Sequence, residues 1–192
     1  MDERYLEIQA LLKKKLKKER YEHTLGVMYT AASLAMCHSA NLHQAMLAGL
    51  LHDCGKYGTS KEQIEQCKEK EISLTDAELI MPSLVHAKLG AYLAEYEYGI
   101  ADGEILSAIR FHTTGRPEMT LLEKIIYIAD YIEPGRREIP GLSAIRAAAF
   151  HNIDRAVALS AKGTIEYLNT AGKPIDAMTI ETYAYYKKEE TK

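Results

Sequence analysis

Tryptophan is absent from this 192-residue chain, phenylalanine occurs only twice and cysteine only three times. The thiols, Cys37, Cys54 and Cys67, are odd in number and show no paired spacing, which argues against a disulfide framework. No apolar stretch is long or clean enough to span a bilayer. The opening "MDERYLEIQALLKKKLKKER" is too charged to hold the apolar region of a secretory signal, so the chain reads as cytoplasmic, with no membrane partner. Basic residues are not in excess either. A net charge of −3 lacks the footprint of a nucleic-acid-binding domain, although an anionic small molecule needs only local cations. Strand-like alternation is nearly missing, and no internal repeat, linker or low-complexity segment interrupts the chain.

What is present is helical periodicity, and it predicts one all-α domain over residues 1–192. An amphipathic segment covers residues 3–16, and the lysine run that follows reads as a solvated face. A second helix runs from about Arg20 to His38 with His23, Val27, Ala31 and Leu34 on one face. The apolar "LHQAMLAGLLHD" is expected to be a buried helix stopped by a left-handed Gly55. Residues 56–75 read as a polar loop with one short helix around 61–69. Pro82 and Gly99 bracket the next helix, and "DGEILSAIRFHTTGRP" carries Ile105, Ala108, Ile109 and His112 on a stripe ended by Gly115 and Pro117. A capping box, Thr120 to Glu123, opens "TLLEKIIYIADYIEPGR", which ends before Pro134. Two or three helices fill 141–188, broken at "NTAGKP".

Against this pattern, several polar side chains sit on apolar faces. Four helices each place one there: His23, His52 followed by Asp53, His86 and His112; a fifth interrupts "IIYIADYI" with Asp130. Any one of these histidines suits an ordinary core position, but helix interiors disfavour aspartate and burial penalises its charge. Four imidazoles and two carboxylates in one helical core would leave many groups unsatisfied without a cation. Neutral imidazole and ionised carboxylate are what metal ions bind. Neighbouring helical residues point about 100° apart, so His52 and Asp53 do not chelate from one face, whereas Asp53 can bridge two ions through its two oxygens. Six groups exceed one tetrahedral site, which leaves two metals or one octahedral ion. His38, His43 and His151 lie in polar or helix-end contexts and stay outside the set.

Cations follow the proposed ligands. Lys56 lies just past His52 and Asp53, while Arg110, Arg116, Arg136 and Arg137 flank the helices of His112 and Asp130. A phosphate-bearing substrate would need such charge-assisted donors. Tyr92, Tyr96 and Tyr98, among the thirteen tyrosines, read as packing, as does Cys54.

The ordered set "RYEHT", "HDCGK", "VHAKLGA", "FHTTGRP" and "ADYIEPGR" resembles the HD-domain metallophosphohydrolases over about residues 18–170. Within them it resembles the bacterial branch that hydrolyses dinucleoside tetraphosphates symmetrically. The resemblance implies a helical bundle of the HD-domain type with two divalent or mixed-valence metal ions, iron first, manganese or zinc as alternatives. It implies His23, His52, Asp53 and Asp130 on one ion and Asp53, His86 and His112 on the other. It also implies Lys56, Thr113, Arg136 and Arg137 on the phosphate chain, with Asp53 and Lys56 in the catalytic step. The reaction implied is cleavage of diadenosine tetraphosphate to two ADP by a hydroxide activated between the metals. A nucleotide is the expected partner, and a homodimer stays open. The rival readings are another HD phosphohydrolase acting on a nucleoside monophosphate, deoxynucleotide or cyclic nucleotide, a non-catalytic nucleotide sensor, and a helical interaction protein.

Overall fold

The structure is a computed structural model and describes residues 3–190. Among the described residues there are eleven α-helices, two 3-10 turns and no strand. The helices are α1 (Glu3–Lys15), α2 (Lys18–Cys37), α3 (Leu42–Leu51), α4 (Ser60–Glu69), α5 (Asp76–Ile80), α6 (Val85–Tyr96), α7 (Gly103–Phe111), α8 (Leu121–Ile132), α9 (Leu142–Ala149), α10 (Ile153–Thr170) and α11 (Ala177–Tyr186). No helix among the described residues is long and apolar enough to cross a membrane.

Helix α3 is the centre because its sequence is apolar nearly all round, and a helix of that kind is stable only when surrounded. It packs against α2, α7 and α8, and Ala45 and the residues from Leu47 to Leu51 are buried. The Asn41 side chain accepts the backbone N–H of Gln44 and starts it. Helix α8 is started by the anticipated capping box, with both reciprocal Thr120–Glu123 bonds formed, and it buries Ile125, Ile126, Ile128 and Ala129. Helix α6 packs on α7, α9 and α10 pack on α8, and α11 packs on α10. The lysines around Leu16 are solvent-exposed, and Leu16 alone turns inward.

One local expectation is corrected, and two features are added. Helix α3 stops at Leu51, and Gly55 is not among the positive-φ glycines, so it is no left-handed cap. Its lack of a side chain serves close approach instead: a Cβ there would lie 2.6 Å from the His86 carbonyl oxygen and 2.7 Å from the Gly90 nitrogen. The polar stretch after α4 also ends in α5, a five-residue helix opened by its own Thr75–Glu78 capping box. Arg116 is engaged within the fold. Its Nε and Nη2 reach the two carboxylate oxygens of buried Glu123 at 3.1 and 2.9 Å.

Because the atoms facing Gly55 are backbone, Gly55→Ala should push α6 away from the turn that carries His52 and Asp53. The expected cost is about 1–3 kcal/mol. Thermal unfolding measures it, and an unchanged melting temperature would show that the two segments separate freely.

Candidate metal centre

The four histidines are delivered in two ways. His52 and His112 sit at the C-caps of α3 and α7, where the carbonyls of the last turn have no intrahelical N–H. Those carbonyls take the ring protons: His52 Nδ1 donates to the Gly49 oxygen and His112 Nδ1 to the Ile109 oxygen, both at 2.7 Å. His86, in the first turn of α6, donates from Nδ1 to the Ser83 oxygen at 2.7 Å. His23 lies within α2, where the local carbonyls are engaged in the helix, and its Nδ1 meets Glu133 Oε1 at 3.1 Å. A carbonyl can only accept, so His52, His86 and His112 each carry the proton on Nδ1 and turn the Nε2 lone pair inward when neutral.

All six predicted ligand residues converge. His23 Nε2 lies 3.0 Å from Asp130 Oδ1, and His52 Nε2 lies 3.9 Å from the same oxygen. Asp53 sits between the two groups of imidazoles. Its Oδ2 is 3.5 Å from His52 Nε2 and 3.9 Å from His23 Nε2, while its Oδ1 is 3.2 Å from His86 Nε2 and 3.6 Å from His112 Nε2. Metal–ligand bonds of about 2.1 Å place neighbouring ligand atoms about 3.0–3.4 Å apart. The distances here start in that range and extend to 3.9 Å.

The residues fit a cation on chemical grounds as well. His23 Nε2, His52 Nε2 and Asp53 Oδ1 are buried without a hydrogen-bond partner. His86 and His112 bring their Nε2 atoms to 3.1 Å, a contact of two lone pairs unless a proton or an ion lies between them. Asp53 is 1% exposed, and His52, His86 and His112 are 0%, 2% and 3% exposed. Unfilled, such atoms cost the desolvation of each group; a divalent ion satisfies several together. Two three-residue sets have donor atoms close enough to share an ion, His23–His52–Asp130 and His52–Asp53–His112.

Charge reinforces this arrangement. Burial pushes the Asp53 carboxyl up, but the pull of His52 and the imidazoles of His112 and His86 outweigh it and hold it well below the usual carboxylate range. Burial likewise raises Asp130, and contact with His23, then His52 and Arg136, brings it below its ordinary value. Desolvation lowers His86 to about 4 against the attraction of Asp53.

The cations divide. Lys56 Nζ is 3.6 Å from Asp53 Oδ1. Thr113 Oγ1 is 3.3 Å from His112 Nε2. Arg136 holds Asp130 through its Nε to the backbone oxygen and its Nη2 to Oδ1, both at 2.7 Å. Arg137 is exposed and lines a cavity of about 590 Å³ together with Arg20, His23 and Arg136. Arg110 lies away from the centre, on cavities shared with Lys88 and Phe111.

Two participants escape sequence reasoning. Arg20 donates from Nη1 to Asp53 Oδ2 at 2.7 Å, and Glu133, 3% exposed, receives the His23 ring. Both lie inside motifs already singled out, "RYEHT" and "ADYIEPGR". The available signals were a mid-helix histidine without a local acceptor and an acid immediately following an apolar run.

Two outcomes follow from the geometry. Glu133→Ala leaves His23 unoriented and should weaken metal binding about 10–100-fold, with Glu133→Gln losing less because an acceptor oxygen remains. Chelator competition measures both, and unaltered affinity in the alanine variant removes Glu133 from the site. The second outcome concerns pH. Folded His86 stays neutral to about 4, whereas an unfolded histidine takes its proton near 6.5, so the unfolded state binds more protons between those values. Stability of the metal-free protein should therefore fall as pH drops from 6.5 towards 4. A further loss should follow below 3.8 as Asp53, depressed only in the folded state, is forced to protonate. Melting curves across this range should show the decline, shallower above pH 4 in His86→Gln. Equal slopes for the two proteins would contradict the assignment.

Comparison with known proteins places this constellation. The HD domain family matches residues 20–135, an interval that holds all six convergent residues together with Arg20, Lys56, Thr113 and Glu133. A Halalkalibacterium halodurans protein named "Bis(5'-nucleosyl)-tetraphosphatase, symmetrical" is 43% identical over 173 residues, covering 90% of this chain and 91% of its own. A Bacillus subtilis protein of the same name is 42% identical over 177 residues, covering 92% and 94%. The crystal structure of a Clostridium acetobutylicum protein, described as a predicted HD superfamily hydrolase involved in NAD metabolism, matches with a TM-score of 0.91. It is 42% identical and covers 96% of this chain and 97% of its own. With His52 shared by both donor sets, Asp53 adjacent to it, and a match that spans them all, the chain belongs to the HD domain family.

Proposed function

We propose that this chain is a metal-dependent phosphohydrolase that cleaves dinucleoside tetraphosphates at the middle anhydride, converting diadenosine tetraphosphate to two ADP. The observation that carries this reading is the pair of relatives at 43% and 42% identity over at least nine tenths of the chain, both named symmetrical bis(5'-nucleosyl)-tetraphosphatases. The HD domain implies use of a divalent metal. We assign His23, His52, Asp130 and Asp53 Oδ2 to one ion and Asp53 Oδ1, His86 and His112 to a second. Iron suits this imidazole and carboxylate set, with manganese or zinc as substitutes, and no thiolate joins it because Cys54 Sγ is turned to the Gly90 oxygen. Residues 1–192 act as one catalytic unit.

Bound divalent cations supply a water of lowered pKa and offset negative charge on the phosphoryl oxygens. The chain's residues supply position. Arg136 and Arg137 follow α8 and Lys56 follows α3, so cations approach the donor sets from two different helices. A polyphosphate bound to both is held in one register. In that register an inner phosphorus faces the centre and a nucleoside diphosphate departs. One water is consumed, the central P–O–P bond breaks, and Lys56 offsets the charge that develops on the leaving oxygen. The Thr113 hydroxyl donates to a phosphate oxygen beside His112.

Hydrolysis of diadenosine tetraphosphate in oxygen-18 water should give ADP alone, with one label in only one of the two molecules per turnover. Asp53→Ala removes a donor from both sets and should lose turnover on the order of a thousandfold or more. His38→Ala should stay near the parent rate, because His38 Nε2 bonds the Ala149 oxygen just past the end of α2. ATP and AMP as products would reject symmetrical cleavage, and inertness towards all dinucleoside polyphosphates would favour a mononucleotide phosphohydrolase.

A further inference from the structure

We propose that the groove between the α8 end, the loop at Ile139 and Pro140, and the face of α10 binds one nucleoside of the dinucleoside substrate, an inference that rests on the phosphohydrolase reading. Two cavities abut there. The first, about 590 Å³, contains His23 and the guanidinium groups of Arg20, Arg136 and Arg137. The second, about 530 Å³, is lined mainly by apolar groups, including Pro140, Gly163 and Tyr167. Tyr131, Ile139 and Thr164 belong to both, so the cation-rich space opens directly into the apolar one. Tyr131 follows Asp130, a member of one donor set, which fixes the groove's inner end beside the centre.

The chemistry of the two halves is that of a nucleotide. Guanidinium groups take phosphate oxygens, and an apolar slot beside tyrosine rings takes a flat base. Tyr167 is 62% exposed and carries the Lys173 ammonium over its ring at 5.6 Å, which leaves the opposite face for stacking. Gly163 adds an independent sign. It lies inside the 18-residue α10 at an ordinary helical φ, where glycine costs about 1 kcal/mol relative to alanine. Helix formation gives no reason for it. A Cβ at that position would meet only one atom within 4 Å, the Tyr131 hydroxyl oxygen at 3.0 Å. The missing side chain therefore admits the Tyr131 hydroxyl from α8 and keeps the groove wall low where α8 meets α10. Thr113 lies on a separate cavity, so this groove serves one half of the substrate only.

The test compares diadenosine tetraphosphate with inorganic tetraphosphate, which has the same phosphate chain and no nucleoside. The parent metal-loaded enzyme should favour the dinucleoside about tenfold or more in kcat/KM, a difference of about 1.4 kcal/mol and within the range of one stacked base. Gly163→Leu fills the groove with a good helix former, and Tyr167→Ala removes the stacking face. Each should narrow this preference by raising KM for the dinucleoside, with inorganic tetraphosphate changed less than about twofold and the melting temperature maintained. Equal losses on both substrates, or no change in their ratio, overturn the groove. If the parent cleaves neither compound, the hydrolase reading falls, and equilibrium binding of the same two compounds decides the groove separately: equal affinities reject it.

Discussion

A carboxylate buried at the meeting point of four imidazoles is the constraint from which this site is built. Asp53 is almost fully shielded, yet each of its oxygens faces a different pair of histidines. Burial of such a charge is tolerable only when it is paired and hydrogen-bonded or bound to metal. Around it, the structure supplies guanidinium and ammonium groups at the edge and ring nitrogens within. The packing of α2, α3, α6, α7 and α8 is thus constrained at its ends by the requirement that these groups meet. Gly55 is the clearest sign, because it lets the backbone behind His52 and Asp53 lie against that of α6.

Helix termini explain how a helical protein can aim so many imidazoles at one place. Orphan carbonyls at the ends of α3 and α7 accept ring protons that would otherwise be unsatisfied. The same bonds choose the tautomer, so the backbone determines which nitrogen faces the centre. Charged residues beyond those ends then stand near the phosphate-sized space without entering the core.

Much of this was legible from periodicity and residue type. An aspartate in the apolar run of α8 and histidines on the stripes of α2, α6 and α7 stand out because burial penalises them. The starts of α4 and α8 also follow from local chemistry, Thr120 and Glu123 above all. Helix α5 was hidden by its length: five residues show no period, although Thr75 and Glu78 repeat the capping pattern of α8. Arg20 and Glu133 were hidden for another reason. Their roles are set by partners 33 and 110 residues away, and nothing in a surface-type residue near a helix end announces such a partner. Arg116, a cation beside a ligand motif, also pairs with Glu123 inside the fold.

The two ways of holding histidines give the site a built-in order of assembly. His52, His86 and His112 are oriented by carbonyls three residues earlier in the chain, contacts that form along with each local segment. His23 depends on Glu133, 110 residues distant, and so acquires its aim only after α8 has docked on α2. Contacts of that separation carry a loop-closure cost that local ones do not. During synthesis, three rings would already be oriented once the chain through Phe111 and His112 had emerged and folded, with the fourth awaiting the segment that ends at Glu133. Completion of the donor set therefore reports that the first and last thirds of the bundle have come together.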